Sequence, residues 1–570
     1  MTRTRRVDHT LIGEDYMKVG DALVSMLRME GITQCFCFPF SPVMEPMSRA
    51  GLPSIVTRQE RVAGNMADGV SRSTNGQQIG TLTVQGMAGS ENAFAGIAHA
   101  YTDSVPILFL PGHPGLRYLD TPTIFDSARN YAATVKMSQK LIVPDQLSNY
   151  VRRSFTALRS GRPGPVMLEV PGDVCDSDWE GEIDYTPVPR LRSAADQGAV
   201  EEAAERLLAS ARPLIWVGQG VHFAEAYEAL QDVTELLGTP VMTTLQGKSA
   251  FPETHPLSAG MGGHAATEMV VEELDACDAL LAVGTSLSHA AFTRVVPDGK
   301  TIVHATVDPS DINKDYAAAT GVIADAKLFL EQLAVELRKR IGDDGLGEKR
   351  AAAEARLAKT RTAWLAEFEP LFSDDSEPIN GYRMFRELWA GLDPDTTMIT
   401  HEAGASRDIQ SVFYQSTTPR SYLGWGQSSQ LGFSLGLAMG AKIANPDKTV
   451  VNVMGDGSIG MTGMDLETAA RNNIGTLTII KHDSIFSGYD QNIPESIKRF
   501  DSATQHGDYA ELARALGCHA ETVTKPAEIR PALQRALNAT GEGQPAVLDV
   551  STAETRKLSH KKIPPERKRG

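Results

Sequence analysis

Short apolar runs recur along this 570-residue chain, each closed by a turn and followed by a stretch of helical spacing. In the first third the runs are "TQCFCFPF", "PSIVTR", "GTLTVQG" and "VPILFLPG". Between them lie "ERVAGNMADGVSRS" and "SENAFAGIAHAYTDS", with "GDALVSMLRMEGI" ahead of the first. Such alternation predicts parallel strands joined by crossover helices in a doubly wound sheet. The pattern restarts at "ARPLIWVGQGV" and passes through "ALLAVGTSL" to "TIVHATVDPSDINKDY". It restarts again at "TTMITHEAGAS" and ends at "PAVLDVS". One core does not grow to this size, so the expectation is three doubly wound α/β domains with mostly parallel sheets. Their expected bounds are 15–180, 195–340 and 375–552, with a basic tail over 553–570. The Pro-bearing stretch 175–196 reads as a linker. The charged stretch 337–368 reads as an exposed helical connector.

Composition narrows the function. A net charge of -16 argues against nucleic acid as a partner. No apolar run reaches the roughly 18 residues of a membrane span. The start, "MTRTRRVDHTLIGEDYMKVG", has no apolar core of a secretory signal. The five cysteines (35, 37, 175, 277 and 518) have no disulfide-framework or zinc-site spacing, which fits reduced thiols in a cytoplasmic protein. The tail "TRKLSHKKIPPERKRG" is either a mobile end or a flap whose cations meet an anionic substrate.

Chemistry concentrates in "KTVVNVMGDGSIGMTGMDLETAARNNIGTLTIIKHD" (448–483). This is a buried strand, a Gly-Asp-Gly-Ser turn, a helix and a second strand. Glycines let the backbone approach a ligand closely, and free N–H groups at a helix start favour phosphate. Asp456 offers an oxygen to a hard cation such as Mg²⁺. Asp483, 27 residues on, offers another at the end of the next strand.

The two-part pattern resembles the thiamin-diphosphate (ThDP) motif, in which Gly-Asp-Gly is followed by Asn-Asn. The resemblance implies that Gly455, Asp456, Gly457 and Ser458 hold the diphosphate and its Mg²⁺. The metal ligands would be Asp456, Asp483 and the carbonyl of Ile485. His482 and Asp483 stand where the family has Asn; Asp supplies an oxygen at nearly the same place but adds a charge, which Lys481 is near enough to offset. Asp483→Asn is therefore expected to keep activity.

"VTRQERVAGNMADGVSR" (56–72) resembles the segment that carries the family's glutamate, and Glu60 matches it. That residue shares a proton with the aminopyrimidine ring and so prepares thiazolium C2. The task needs a dry pocket that favours the protonated acid. Further resemblance lies in "VQGMAGSENAFAGIAHAYTDSVPILFLPG", with Met87 where Pro is usual, in "HEAGAS", which places Ala403 and Gly404 by the diphosphate, and in "GWGQSSQLGFSLGLAMGAK". There Leu431 falls at the apolar wedge that bends the cofactor. The family puts the cofactor between the first domain of one subunit and the last of another, so a homodimer is the minimum and a homotetramer is expected.

Two branches compete for the reaction. Several segments resemble 2-hydroxyacyl-CoA lyases, which split a hydroxyacyl thioester into formyl-CoA and an aldehyde or ketone. Acetolactate-synthase-like enzymes instead decarboxylate a 2-oxo acid and ligate the product to a second carbonyl. The lyases carry a catalytic Glu where this chain has Tyr489, a poorer proton acceptor near neutrality; either Asp490 or Glu495 substitutes, or the substrate differs. His113 falls where the synthases place a polar active-site residue and is a candidate proton shuttle. The central domain is a candidate for CoA, ADP or FAD, although "VGQGVHFAEA" lacks the full glycine fingerprint. Lys248 is a possible phosphate contact there. A non-catalytic paralogue keeping the fold is the reading outside enzymes.

Overall fold

In the computed structural model, residues 17–489 and 492–558 are described. The tail beyond 558 and Asp490 lie outside them. Eighteen named strands form three six-stranded sheets, and every neighbouring pair within them is parallel.

The first sheet holds β1 (Cys35–Cys37), β2 (Ser54–Val56), β3 (Gly80–Val84), β4 (Ile107–His113), β5 (Met137–Lys140) and β6 (Val166–Pro171). Their order is β2-β1-β3-β4-β6-β5. The second holds β7 (Pro213–Val217), β8 (Val241–Thr243), β9 (Ser258–Met261), β10 (Ala279–Val283), β11 (Thr301–Thr306) and β12 (Thr320–Ile323). It runs β12-β11-β10-β7-β8-β9, the order of dinucleotide-binding sheets. The third holds β13 (Thr397–His401), β14 (Tyr422–Gly424), β15 (Thr449–Gly455), β16 (Leu477–His482), β17 (His519–Val523) and β18 (Ala546–Ser551). Its order, β14-β13-β15-β16-β18-β17, repeats that of the first sheet. The central strands β3, β4, β7, β10 and β13 are buried at every position, because helices cover both faces.

The outer domains meet along helices Glu60–Ser73 and Phe433–Ala444. Glycine makes the approach possible. A Cβ on Gly69 would stand 2.3 Å from the Leu437 carbonyl oxygen, and one on Gly440 would stand 2.0 Å from that of Met66. The same core therefore runs from Val62, Met66 and Leu82 of the first domain into Leu435, Met439 and Met454 of the third. Polar groups cross the seam as well. The buried Arg72 guanidinium donates to the Gly424 carbonyl at 2.7 Å, and Asp103 accepts the N–H groups of Gly426 and Gln427.

The expected exposed connector is different in part. It comprises helix Ala326–Ile341 and the 26-residue helix Gly347–Phe372. The second buries Leu357, Trp364, Phe368 and Phe372, and Trp364 stacks on Phe413 of the third domain with ring centres 4.6 Å apart. Its charges face water, so the sequence reads as exposed. The apolar residues spaced along one side are what dock it.

Candidate cofactor site

Parallel sheets gather their loops at the carboxyl ends of the strands, and a ligand cleft opens where the strand order reverses. In the third sheet that point lies between β13 and β15. Glu402, Ala403 and Gly404 follow β13, and Gly455–Ser458 end β15 and start helix Asp456–Thr462. Gly404 has φ +78, a backbone state that glycine adopts without strain.

Strand pairing brings the two aspartates together. Gly455 is in register with Lys481 on β16, so Asp456 and Asp483 emerge from neighbouring strand ends. Asp456 is buried; its Oδ1 accepts the Gly457 N–H at 2.9 Å and its Oδ2 accepts the Ser484 N–H at 2.7 Å. Burial raises the Asp456 carboxyl above its ordinary range, and the Asp483 charge adds to the shift. Asp483 Oδ2 accepts from Lys481 Nζ at 2.6 Å and from Ser487 Oγ at 3.0 Å. Both side chains of the Lys481–Asp483 pair are about 95% buried. The offsetting lysine expected from sequence is thus in contact. The His482 ring bridges Asp549 Oδ1 (2.9 Å) and Ser484 Oγ (3.0 Å), and the bond to Asp549 raises its pKa. This donor set suits a hard divalent cation: two carboxylates converge, and Asp483 Oδ1 has no hydrogen-bond partner among the described residues. No cluster of three acidic, His or Cys ligands occurs among the described residues, and the expected set of two acids plus one carbonyl does not require one.

Leu431 is half-buried ahead of helix Phe433–Ala444. Beside it lies a group that sequence reasoning missed. Glu402 is fully buried, accepts the Gly432 N–H, and is pushed up to about 8 by burial, against the opposing pull of Gly432, Ser458, Ser434 and Arg61. An acid at the end of an otherwise apolar strand was the signal available.

Glu60 opens helix Glu60–Ser73 and is buried. Its carboxyl makes no hydrogen bond among the described residues, and a Cβ on Gly89 would stand 3.6 Å from its Oε1. His113 ends β4, with Nδ1 accepting the Gly115 N–H at 3.2 Å; burial and then the Lys140 charge lower its pKa. Ile485 lies in an isolated bridge to Thr504, just after the metal-side loop. Tyr489 is half-exposed, and its carbonyl accepts from Asn492 and Ile493. Glu495 sits on an exposed helix, paired with Arg499 at 3.1 Å. Lys248 is no phosphate contact. It is fully buried, paired with Glu253, and donates to the Tyr414 carbonyl at 2.7 Å.

The central domain carries its own cleft at the β7/β10 reversal, a cavity of about 320 Å³. Gly218, Gly220 and Gly284 line it together with Arg159, Arg162, Arg190, Arg192 and Arg294, and Asp103 and Gly426 of the outer domains line it as well.

Three parallel α/β domains, with an acidic strand-end pair in the last and a buried glutamate in the first, define the class of ThDP-binding enzymes. Comparison with known proteins agrees. The family model "Thiamine pyrophosphate enzyme, N-terminal TPP binding domain" matches residues 17–141, "central domain" matches 200–333, and "C-terminal TPP binding domain" matches 402–550. The chain belongs to the thiamine pyrophosphate enzymes, in their acetolactate-synthase-like branch. It is 28% identical to the probable acetolactate synthase large subunit of Methanocaldococcus jannaschii, over 94% of this chain and 92% of the relative. It is 27% identical to the acetolactate synthase isozyme 3 large subunit of Escherichia coli K12, over 93% and 94%. It is 28% identical to the glyoxylate carboligase of Escherichia coli O157:H7, over 91% and 90%. It is therefore an enzyme of carbon–carbon bond chemistry.

Proposed function

We propose that the chain is a ThDP- and Mg²⁺-dependent carboligase acting on small 2-oxo acids. The observation that carries the ThDP–Mg²⁺ part of this reading is the Asp456–Asp483 pair, set by strand register and charge-balanced by Lys481. Asp456, Asp483 and the Ile485 carbonyl would hold the metal; Gly455, Gly457, Ser458, Ala403 and Gly404 would face the diphosphate; Leu431 would support the bend. When bound, ThDP supplies a nucleophilic carbon and an electron sink for bonds beside a carbonyl. The chain's own part is positional. Glu60, buried and without a competing partner, would be the group that exchanges a proton with the aminopyrimidine ring. His113, its pKa lowered by burial, is held as a neutral imidazole that takes or returns a proton.

Two of the relatives named above are acetolactate synthases and one is a glyoxylate carboligase, which supports ligation over thioester cleavage. Tyr489 in place of a carboxylate weighs the same way. Calorimetry with ThDP and Mg²⁺ tests the cofactor; absence of binding removes this reading. A screen of 2-oxo acids, glyoxylate included, against 2-hydroxyacyl-CoA thioesters tests the substrate. A hydroxyacyl-CoA lyase would turn over only the thioesters, and a non-catalytic paralogue would leave C2–H/D exchange of ThDP at the rate of the free cofactor.

The central cleft favours a nucleotide diphosphate (of FAD, ADP or CoA), because glycine turns at a strand-order reversal share a lining with five arginines there. Exposed Phe94 and Tyr101 on helix Ala88–Thr102, with Met461 and Met464 near the Gly-Asp-Gly loop, give apolar surface for a homodimer, and a homotetramer fits the family. All five cysteines are free and buried, in keeping with a cytoplasmic protein. No helix among the described residues is long and apolar enough to cross a membrane.

A further inference from the structure

The two-residue turn Leu431–Gly432 is held from three sides. The Leu431 carbonyl accepts from Arg61 Nη2 at 2.6 Å. The Gly432 N–H donates to Glu402 Oε2. The Gly432 carbonyl accepts from Thr462 Oγ1 at 2.9 Å. All three bonds are long-range in sequence, and each clamping residue adjoins a different candidate cofactor segment. Arg61 follows Glu60 in the first domain, Glu402 precedes Ala403 and Gly404, and Thr462 ends the helix begun by Asp456. Gly432 has φ +83, and a Cβ there would stand 2.8 Å from both Arg61 Nη2 and Thr462. Gly432 therefore fixes the turn in one geometry, in a space with no room for a side chain at that position.

Two atoms of the clamp are left over. Glu402 Oε1 and Arg61 Nε are buried and without a hydrogen-bond partner among the described residues. A buried carboxylate oxygen and a buried guanidinium nitrogen without hydrogen-bond partners cost stability, so packing economy does not explain them. Strain and unmet polar atoms concentrate where a site must be held in one geometry.

We propose that Arg61 and Glu402 are positioning residues that hold Leu431 at the height needed to bend the bound cofactor. The inference rests on the reading of Leu431 as the wedge. It separates bending from anchoring: the metal and diphosphate are gripped by 455–458 and 483–485, and the clamp acts on the ring end alone.

The test compares Arg61→Gln, Glu402→Ala, Glu402→Gln and Thr462→Val with Leu431→Ala, all as the full chain. Calorimetry gives the affinities for ThDP with Mg²⁺ and for inorganic pyrophosphate with Mg²⁺. C2–H/D exchange at saturating ThDP reports the ring geometry. Expected are pyrophosphate affinity within about twofold of the parent in every variant, and exchange slowed at least tenfold in Arg61→Gln and Glu402→Ala. Glu402→Gln restores most of the exchange, since its amide oxygen still accepts the Gly432 N–H. If Glu402→Ala does not fold, Arg61→Gln and Thr462→Val carry the test. Parent-like exchange in Arg61→Gln and Thr462→Val overturns the clamp. Parent-like exchange in Leu431→Ala overturns the wedge itself, whatever the other variants do.

Discussion

Glu60 and Glu402 are two buried acids with opposite legibility. Glu60 could be found because a spaced pattern surrounds it, and the fold buries it at a helix start. Replacing it with Gln should leave ThDP binding within a few-fold while slowing C2–H/D exchange at least a hundredfold; parent-like exchange would refute the role. Glu402 has no such pattern around it, because a single acid after a short strand carries no spacing of its own. Its ordinary value is 4.5 and burial lifts it to about 8, so the folded state keeps a proton that the unfolded chain has lost between those values. The contribution of Glu402 to stability then falls as pH rises from about 4.5 to about 8 and levels off above, by at most about 1.4 kcal/mol per pH unit. Chemical denaturation at pH 5 and pH 8 should show the parent losing stability relative to Glu402→Gln as pH rises; an unchanged difference between the two would count against it. At residue 483 the structure adds a stability term to the expectation that Asn keeps activity. The buried Lys481 leans on the Asp483 charge. Asp483→Asn alone should cost about 1–3 kcal/mol of stability, and adding Lys481→Met should recover part of it. A double-mutant cycle giving no coupling would dismiss the pairing.

Elements were easier to read than their docking. The strand runs and the Gly-Asp-Gly turn stand out because both faces of a parallel strand are covered, which leaves an unbroken apolar signature. The connector reads as exposed although it is docked, because its apolar residues are few among many charges. The seam between helices Glu60–Ser73 and Phe433–Ala444 left only glycines as its trace, and a glycine in a helix has several readings. Its closeness predicts that Gly440→Ala, which would press a methyl against the Met66 carbonyl, lowers stability by about 1–3 kcal/mol in chemical unfolding. An unchanged midpoint would mean that the helices can part freely.

For the molecule as a whole, the central cleft and the cofactor loop share a wall. Asp103 fixes Gly426 and Gln427 by their N–H groups, while its own carbonyl accepts from Gln219 and Gln246 of the central domain. A nucleotide lodged there should tighten ThDP binding, and by linkage ThDP should tighten the nucleotide by the same factor. Titrating ThDP with and without ADP, FAD or CoA checks this, and identical affinities with a demonstrably filled cleft would contradict it. The outer sheets share one strand order, and the central sheet between them has another. Two like domains synthesised back to back would invite each to capture the other's strands. Here roughly two hundred residues separate Pro171, the end of the first sheet, from Thr397, the start of the third. At about 5–20 residues per second, a ribosome needs roughly ten seconds or more to cross that interval. The first sheet has that time to close before its look-alike emerges, so the middle domain also works as a delay line in the making of the enzyme.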